Sequence, residues 1–125
     1  FKIKKMKEFL FFIMSEGKPL ANASPEEMQQ HIRKVGDYIR KNVKEGKFLG
    51  AQPLESNGVT ISGSKGNIFD GPYIESKEVI SGYYHVLAKD MEEAVEIAKS
   101  DPRFDEENWS IVIRPIQKLE GINKD

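Results

Sequence analysis

Apolar and polar positions along this chain change period several times, and each change marks an element. From Phe9 to Met14 the residues "FLFFIM" are continuously apolar and rich in aromatics. This predicts a strand with two apolar faces, Phe9, Phe11 and Ile13 on one and Leu10, Phe12 and Met14 on the other. The polar, Gly/Pro-bearing "SEGKPLANA" is its exit loop. In "SPEE", Ser24 as N-cap, Pro25 at the first helical position and Glu27 reaching back form a capping box. Met28, Ile32, Val35, Ile39 and Val43 then recur at helical spacing, and Gly46 supplies a left-handed stop. Together they predict a long amphipathic helix.

"KFLGAQPL" reads as a short strand, and "GVTISGSKGNIFDG" as two strands joined by a "GSKG" turn, hence a hairpin. Val79 to Leu87 predicts another strand. Asp90 with Glu93 repeats the capping logic for a second helix with an apolar stripe of Met91, Ala94, Val95 and Ala98, stopped at Asp101-Pro102. "WSIVIRPI" is a last strand, with Pro115 marking an edge or the end of its ladder. The order β-α-β, hairpin, β-α-β predicts an α+β fold, a ferredoxin-like split βαβ plan with an inserted β-hairpin. Two helices shelter one face of such a sheet. Its other face is also apolar, and a bare apolar face larger than a few hundred Å² is uncommon on a monomer. Burial against a second copy about a twofold axis is the economical remedy. A homodimer with facing sheets, a dimeric α/β barrel, is therefore expected.

The 125 residues fit one domain, 1–125, with a core over about 6–117 and short tails. A composition 38% hydrophobic and 31% charged is that of a folded chain. A net charge of -1 gives no electrostatic reason to bind nucleic acid or an anionic membrane, and the basic "KIKK" near the start reads as a solvated end. The six-residue apolar run is far short of the roughly 20 needed to span a bilayer. The absence of cysteine removes disulfides, thiolate nucleophiles and cysteine-ligated metals, and makes the cytoplasm the default location. Met6 is a sensible natural start, and a targeting peptide removed upstream of Phe1 is compatible with these residues. With two histidines and no cysteine, neither a metal nor a cofactor is expected.

GxxxxGK, GxSxG, HExxH and a strand-borne GxGxxG are all missing, so the usual signatures of nucleotide hydrolysis, serine hydrolysis, zinc proteolysis and dinucleotide binding are absent. The candidates that remain are acid/base groups and aromatics. Asp70, before Gly71-Pro72, suits the first position of a tight turn; as a base it would need shielding from water. His31, with an intrinsic pKa of about 6.5, is the better base, and it lies on the shoulder of the helical stripe. Strict alternation puts Val79, Ser81, Tyr83, His85 and Leu87 on one face of their strand and Ile80, Gly82, Tyr84 and Val86 on the other. Tyrosines Tyr73, Tyr83 and Tyr84 offer ring area plus a hydroxyl, and His85 shares a face with Tyr83. Gly82 marks space for a ligand or a close backbone. Arg114, inside an apolar strand, is expected to pair with a carboxylate such as Glu75 or Glu78, or to hold a ligand carboxylate. Lys77 reads as solvated charge.

The segment "DGPYIESKEVISGYY" resembles the signature of YCII-related proteins, in the branch named for a DGPF motif. Asp70, Gly71 and Pro72 match, and Tyr73 stands where phenylalanine is usual. The resemblance extends through "MKEFLFFI", "SPEEMQQHI", "EGKFLGAQPLE", "AKDMEEAVEIAKSDP" and "SIVIRPI", roughly residues 6 to 116. It implies the same ferredoxin-like, dimeric barrel fold. It also implies a His/Asp pair in a cleft, here His31 and Asp70, relatives that include a lactone-processing dehydrochlorinase, and a wider superfamily that includes muconolactone isomerases and cofactor-free monooxygenases. Relatives often occur beside transcription sigma factors, which implies a regulatory setting. Two functions follow as expectations. The first is a homodimeric small-molecule-binding or regulatory module with a pocket near the DGPY turn. The alternative is a cofactor-free enzyme, of isomerase, lyase or dehydrochlorinase type, doing acid/base chemistry with Asp70 and His31 on a small cyclic or lactone-like substrate.

Overall fold

In a computed structural model, which describes residues 5–74 and 77–124, the chain runs through β1 (Lys7–Glu16), α1 (Pro25–Lys44), β2 (Phe48–Pro53), β3 (Val59–Ser64), β4 (Asn67–Pro72), β5 (Glu78–Ala88), α2 (Met91–Lys99), a 3-10 turn (Pro102–Asp105) and β6 (Trp109–Pro115). Most of the "KIKK" tract lies outside the described residues. Four strands form one antiparallel sheet in the order β2-β5-β1-β6, and β3 and β4 form a separate hairpin. This is an α+β architecture compatible with the split βαβ plan, since β5 inserts between β1 and β2 and β6 adds outside β1. β6 is an edge strand, as Pro115 foretold.

The alternation of β1 decides where the core sits. Phe9, Phe11 and Ile13 are buried together with Tyr84, Val86 and Ala88 of β5, Tyr38 of α1 and Ala94, Ile97 and Ala98 of α2. Phe48 stacks on Tyr84 with ring centroids 4.6 Å apart, and Tyr38 meets Phe48 edge-on at 5.6 Å. Both helices thus share one face of the sheet. The opposite face carries Leu10, Phe12, Met14, Tyr83, His85 and Leu87, all half-buried, and the exposed Val112 and Arg114.

Helix α1 starts as its sequence demands. Glu27 N–H donates to Ser24 Oγ at 3.1 Å, and Ser24 N–H donates to Glu27 Oε1 at 3.2 Å. Gly46, at φ +76°, ends it. Its buried stripe differs from the apolar one: His31, Val35, Tyr38 and Asn42 face inward, while Ile32 and Val43 are 56% and 52% exposed. Polar side chains occupy the inner face because each finds a partner there. Tyr38 Oη donates to Ile97 O at 2.5 Å, Asn42 Nδ2 to Tyr38 O at 2.9 Å, and His31 bonds Glu106.

Three further details correct the expectations from sequence. Hairpin reversal falls on Lys65 and Gly66, both left-handed (φ +51° and +87°), so Asp70 does not open a turn; it lies within β4, opposite Ile61, and is exposed. In β5 the register slips by one residue against β1, Ile13 facing Gly82 but Met14 facing Ile80. Ser81 is the extra residue. The bulge therefore puts Ile80 on the open face with Met14 and Val79 on the helix side with Ser15, reversing the strict alternation there. Arg114 is exposed on the edge strand, where water solvates it, rather than buried in need of a carboxylate; Glu75 lies outside the described residues.

Candidate functional site

The short segment after α2 brings the chemistry to α1. Asp101 caps the 3-10 turn, its Oδ1 accepting from Arg103 N–H at 2.9 Å, and the turn then delivers Arg103, Glu106 and Trp109 beneath the first half of α1. His31 stacks on Trp109, ring centroids 5.8 Å apart and planes 15° from parallel. Its Nδ1 lies 2.7 Å from Glu106 Oε2. Glu106 also receives Lys34 Nζ at 2.8 Å and the Trp109 Nε1–H at 3.0 Å. Burial pushes the Glu106 carboxyl upward, but the bonds from Lys34, His31 and Trp109 outweigh it, so its pKa lies below the ordinary carboxylate value. An ionised carboxylate only accepts, so the nitrogen facing it must carry a proton. Nδ1 is then the donor in neutral His31, which leaves the Nε2 lone pair as a base.

A second network adjoins the first. Tyr84 Oη donates to Asp101 Oδ2 at 3.1 Å and accepts from Arg103, whose guanidinium also reaches Asp101 Oδ2 at 3.3 Å. Burial, then the Asp101 charge, pushes the Tyr84 phenol well above its usual value, so the hydroxyl stays protonated. The Arg103 guanidinium lies 5.2 Å from the Trp109 ring centre and 5.9 Å from that of Tyr84. Arg103 Nε is buried without a hydrogen-bond partner among the described residues.

A cavity of about 280 Å³ lies between α1 and the β2–β5 side of the sheet. His31, Arg103 and Tyr84 contribute its polar side chains; Ile13, Ile32, Val35, Ile39 and Pro53 make the rest mostly apolar, and Tyr83, whose side chain faces the other side of the sheet, borders it. Gly82 shapes its wall. A Cβ there would lie 2.7 Å from Gln52 O, so glycine is required by the close approach of β2 and not by a bound molecule.

Of the residues singled out from sequence, His31, Tyr83 and Tyr84 line this cavity. Asp70 does not, and sits on the exposed hairpin; Tyr73 follows β4, 38% exposed, its N–H bonded to Gly58 O. His85 faces the other side of the sheet, its Nε2 2.6 Å from Glu8 Oε1. Bonding to Lys118 lowers the Glu8 pKa, burial opposes this, and His85 adds to the lowering. Lys77 forms a surface pair with Glu16 at 3.2 Å. Sequence reasoning missed Asp101, Arg103, Glu106 and Trp109. A usable signal was present in "DPRFDEENW", where an arginine and several carboxylates surround the single tryptophan. Among the described residues no group of three or more His, Asp or Glu is placed to hold a metal ion, and no helix is long and apolar enough to cross a membrane.

The fold and site define an α+β protein with a histidine–carboxylate pair at the wall of a cavity between helix and sheet. The YCII-related domain matches residues 9–116, and the chain belongs to that family. No curated protein matches the chain.

Proposed function

We propose that this protein, of the DGPF-motif branch, is a cofactor-free acid/base catalyst acting on a small, largely apolar molecule in the cavity between α1 and the sheet. The observation that carries the reading is the His31 Nδ1 bond to Glu106 at 2.7 Å, at the wall of a mostly apolar cavity. Nε2 of His31 accepts a proton from a C–H or O–H of the bound molecule, and Glu106 steadies the imidazolium that forms. Arg103 supplies positive charge for the anion that develops. Asp70 takes no part. Catalysed exchange of carbon-bound hydrogen in D₂O, followed by NMR across a panel of small lactones and cyclic enols, tests this. His31→Gln should slow exchange by about 10² to 10⁴, while Asp70→Asn leaves it unchanged.

A binding or regulatory role is the second reading, favoured by the buried Asp101–Arg103–Tyr84 network, which holds a shape whether or not a proton moves. Saturable binding with no exchange in the wild type selects it.

We further propose a cytoplasmic homodimer joined through the open face of the sheet, in the manner of a dimeric α/β barrel. Its support is the row Leu10, Phe12 and Met14, apolar and on the side away from both helices.

A further inference from the structure

Away from His31, a cavity of about 620 Å³ opens where the start of β1 passes the end of β6 and the C-terminal loop. Lys5, Lys7, Lys118 and Lys124 are among the residues that line it, with Glu8 the one carboxylate among the described lining residues. The loop that presents two of these lysines is well tied. Leu119 N–H donates to Asn123 Oδ1 at 2.8 Å, Asn123 Nδ2 donates to Gln117 O at 2.9 Å, and Ile116 N–H continues the β1–β6 ladder to Glu8 O at 3.0 Å. Gly121, at φ +81°, makes the reversal between them.

Charge in the cleft is poorly balanced. Lys118 bonds Glu8, and Lys124 lies 3.9 Å from the exposed Glu120. Lys5 and Lys7 have no carboxylate within ion-pair distance among the described residues. In a chain of net charge -1, four lysines against one described lining carboxylate make this cleft locally cationic, which favours an anion. Met6, Pro115 and Ile116 add an apolar wall. Lysine ammoniums bind phosphate as point charges. Except for Pro115 and Ile116, every residue in the lining falls outside the segment matched by the family.

We infer that this cleft is a binding site for a small phosphate monoester, a multivalent oxyanion joined to a compact apolar group. Naphthyl phosphate, titrated by its fluorescence anisotropy, is the probe. It should saturate at one per chain, be displaced by pyrophosphate but not by naphthol, and weaken as salt is raised. Lys118→Met with Lys124→Met should weaken it by about tenfold or more. Because the first of these removes a partner of Glu8, a second variant, Lys5→Met with Lys7→Met, repeats the test without touching that pair. His31→Gln should leave the affinity unchanged, which separates this cleft from the cavity under α1. Equal affinity in both lysine variants, or naphthol binding as tightly as its phosphate, overturns the inference. A lipid headgroup offers the same phosphate chemistry. Binding to phosphatidylglycerol vesicles without saturable binding of naphthyl phosphate would overturn the assignment to a free small molecule.

Discussion

Both histidines of this chain are gripped by a glutamate, on opposite faces of one sheet. His31 lies 2.7 Å from Glu106 on the helix side, and His85 lies 2.6 Å from Glu8 on the open side. In each case the carboxyl is held below its usual pKa with help from a lysine, Lys34 for Glu106 and Lys118 for Glu8. The surroundings differ. The His31 side chain is 10% exposed, stacked on Trp109, and borders a mostly apolar cavity; that of His85 is 34% exposed. A histidine–carboxylate pair is thus not a site by its composition. Enclosure beside empty, mostly apolar space is what distinguishes one pair from the other.

The two faces can be set against each other by mutation. The largest effect on folding should come from Phe11→Ala, which empties a fully buried position and should cost about 3 to 5 kcal/mol in urea denaturation. Its neighbour Phe12 points to the open face. Phe12→Lys should leave the core intact but shift the sedimenting species from dimer to single chain; a dimer that survives the charge would break the facing-sheet assembly. Next comes Tyr84→Phe, which strips one donor from the buried Asp101 and should cost about 1 to 3 kcal/mol, whereas Tyr83→Phe should stay within about 0.5 kcal/mol.

The smallest effect concerns pH. Glu106 titrates lower in the folded chain than its ordinary 4.5. Its ionised form therefore stabilises the fold above that value, and the contribution is lost as the pH falls through the folded-state pKa. Urea curves of the wild type and Glu106→Gln should be separated at neutral pH and converge toward acid. A separation unchanged at low pH would mean that the carboxylate charge plays no part in holding His31.

Local signals were legible in the sequence because their physics is local. The Ser24–Glu27 capping box, the Asp90 cap, the Gly46 stop and the two-faced β1 each depend on residues a few positions apart. Where distant partners decide, pattern misled. Hydrophobic spacing chose Ile32 and Val43 for the inner face of α1, but Tyr38 goes in because the Ile97 carbonyl awaits it, and Ile32 is left at the rim of the cavity. For the same reason His31 was read as a shoulder residue. Glu106 is 75 positions away, and nothing near His31 in sequence announces it. Asp70 was singled out for the company of Gly71 and Pro72, yet the left-handed backbone of the reversal belongs to Lys65 and Gly66. Asp101 reads from sequence only as the end of a helix, which is half its role, and its partners Tyr84 and Arg103 come from other positions of the fold.

The extra residue at Ser81, whose hydroxyl meets that of Ser15 at 2.7 Å, governs more than local geometry. Were it deleted, regular alternation from Gly82 would itself bring Ile80 opposite Met14 and Val79 opposite Ser15, so the pairing on both sides would be kept and only the local bend and added twist would go. The hairpin arm feeds into β5 through that bend, so its direction of departure from the sheet hangs on a single insertion.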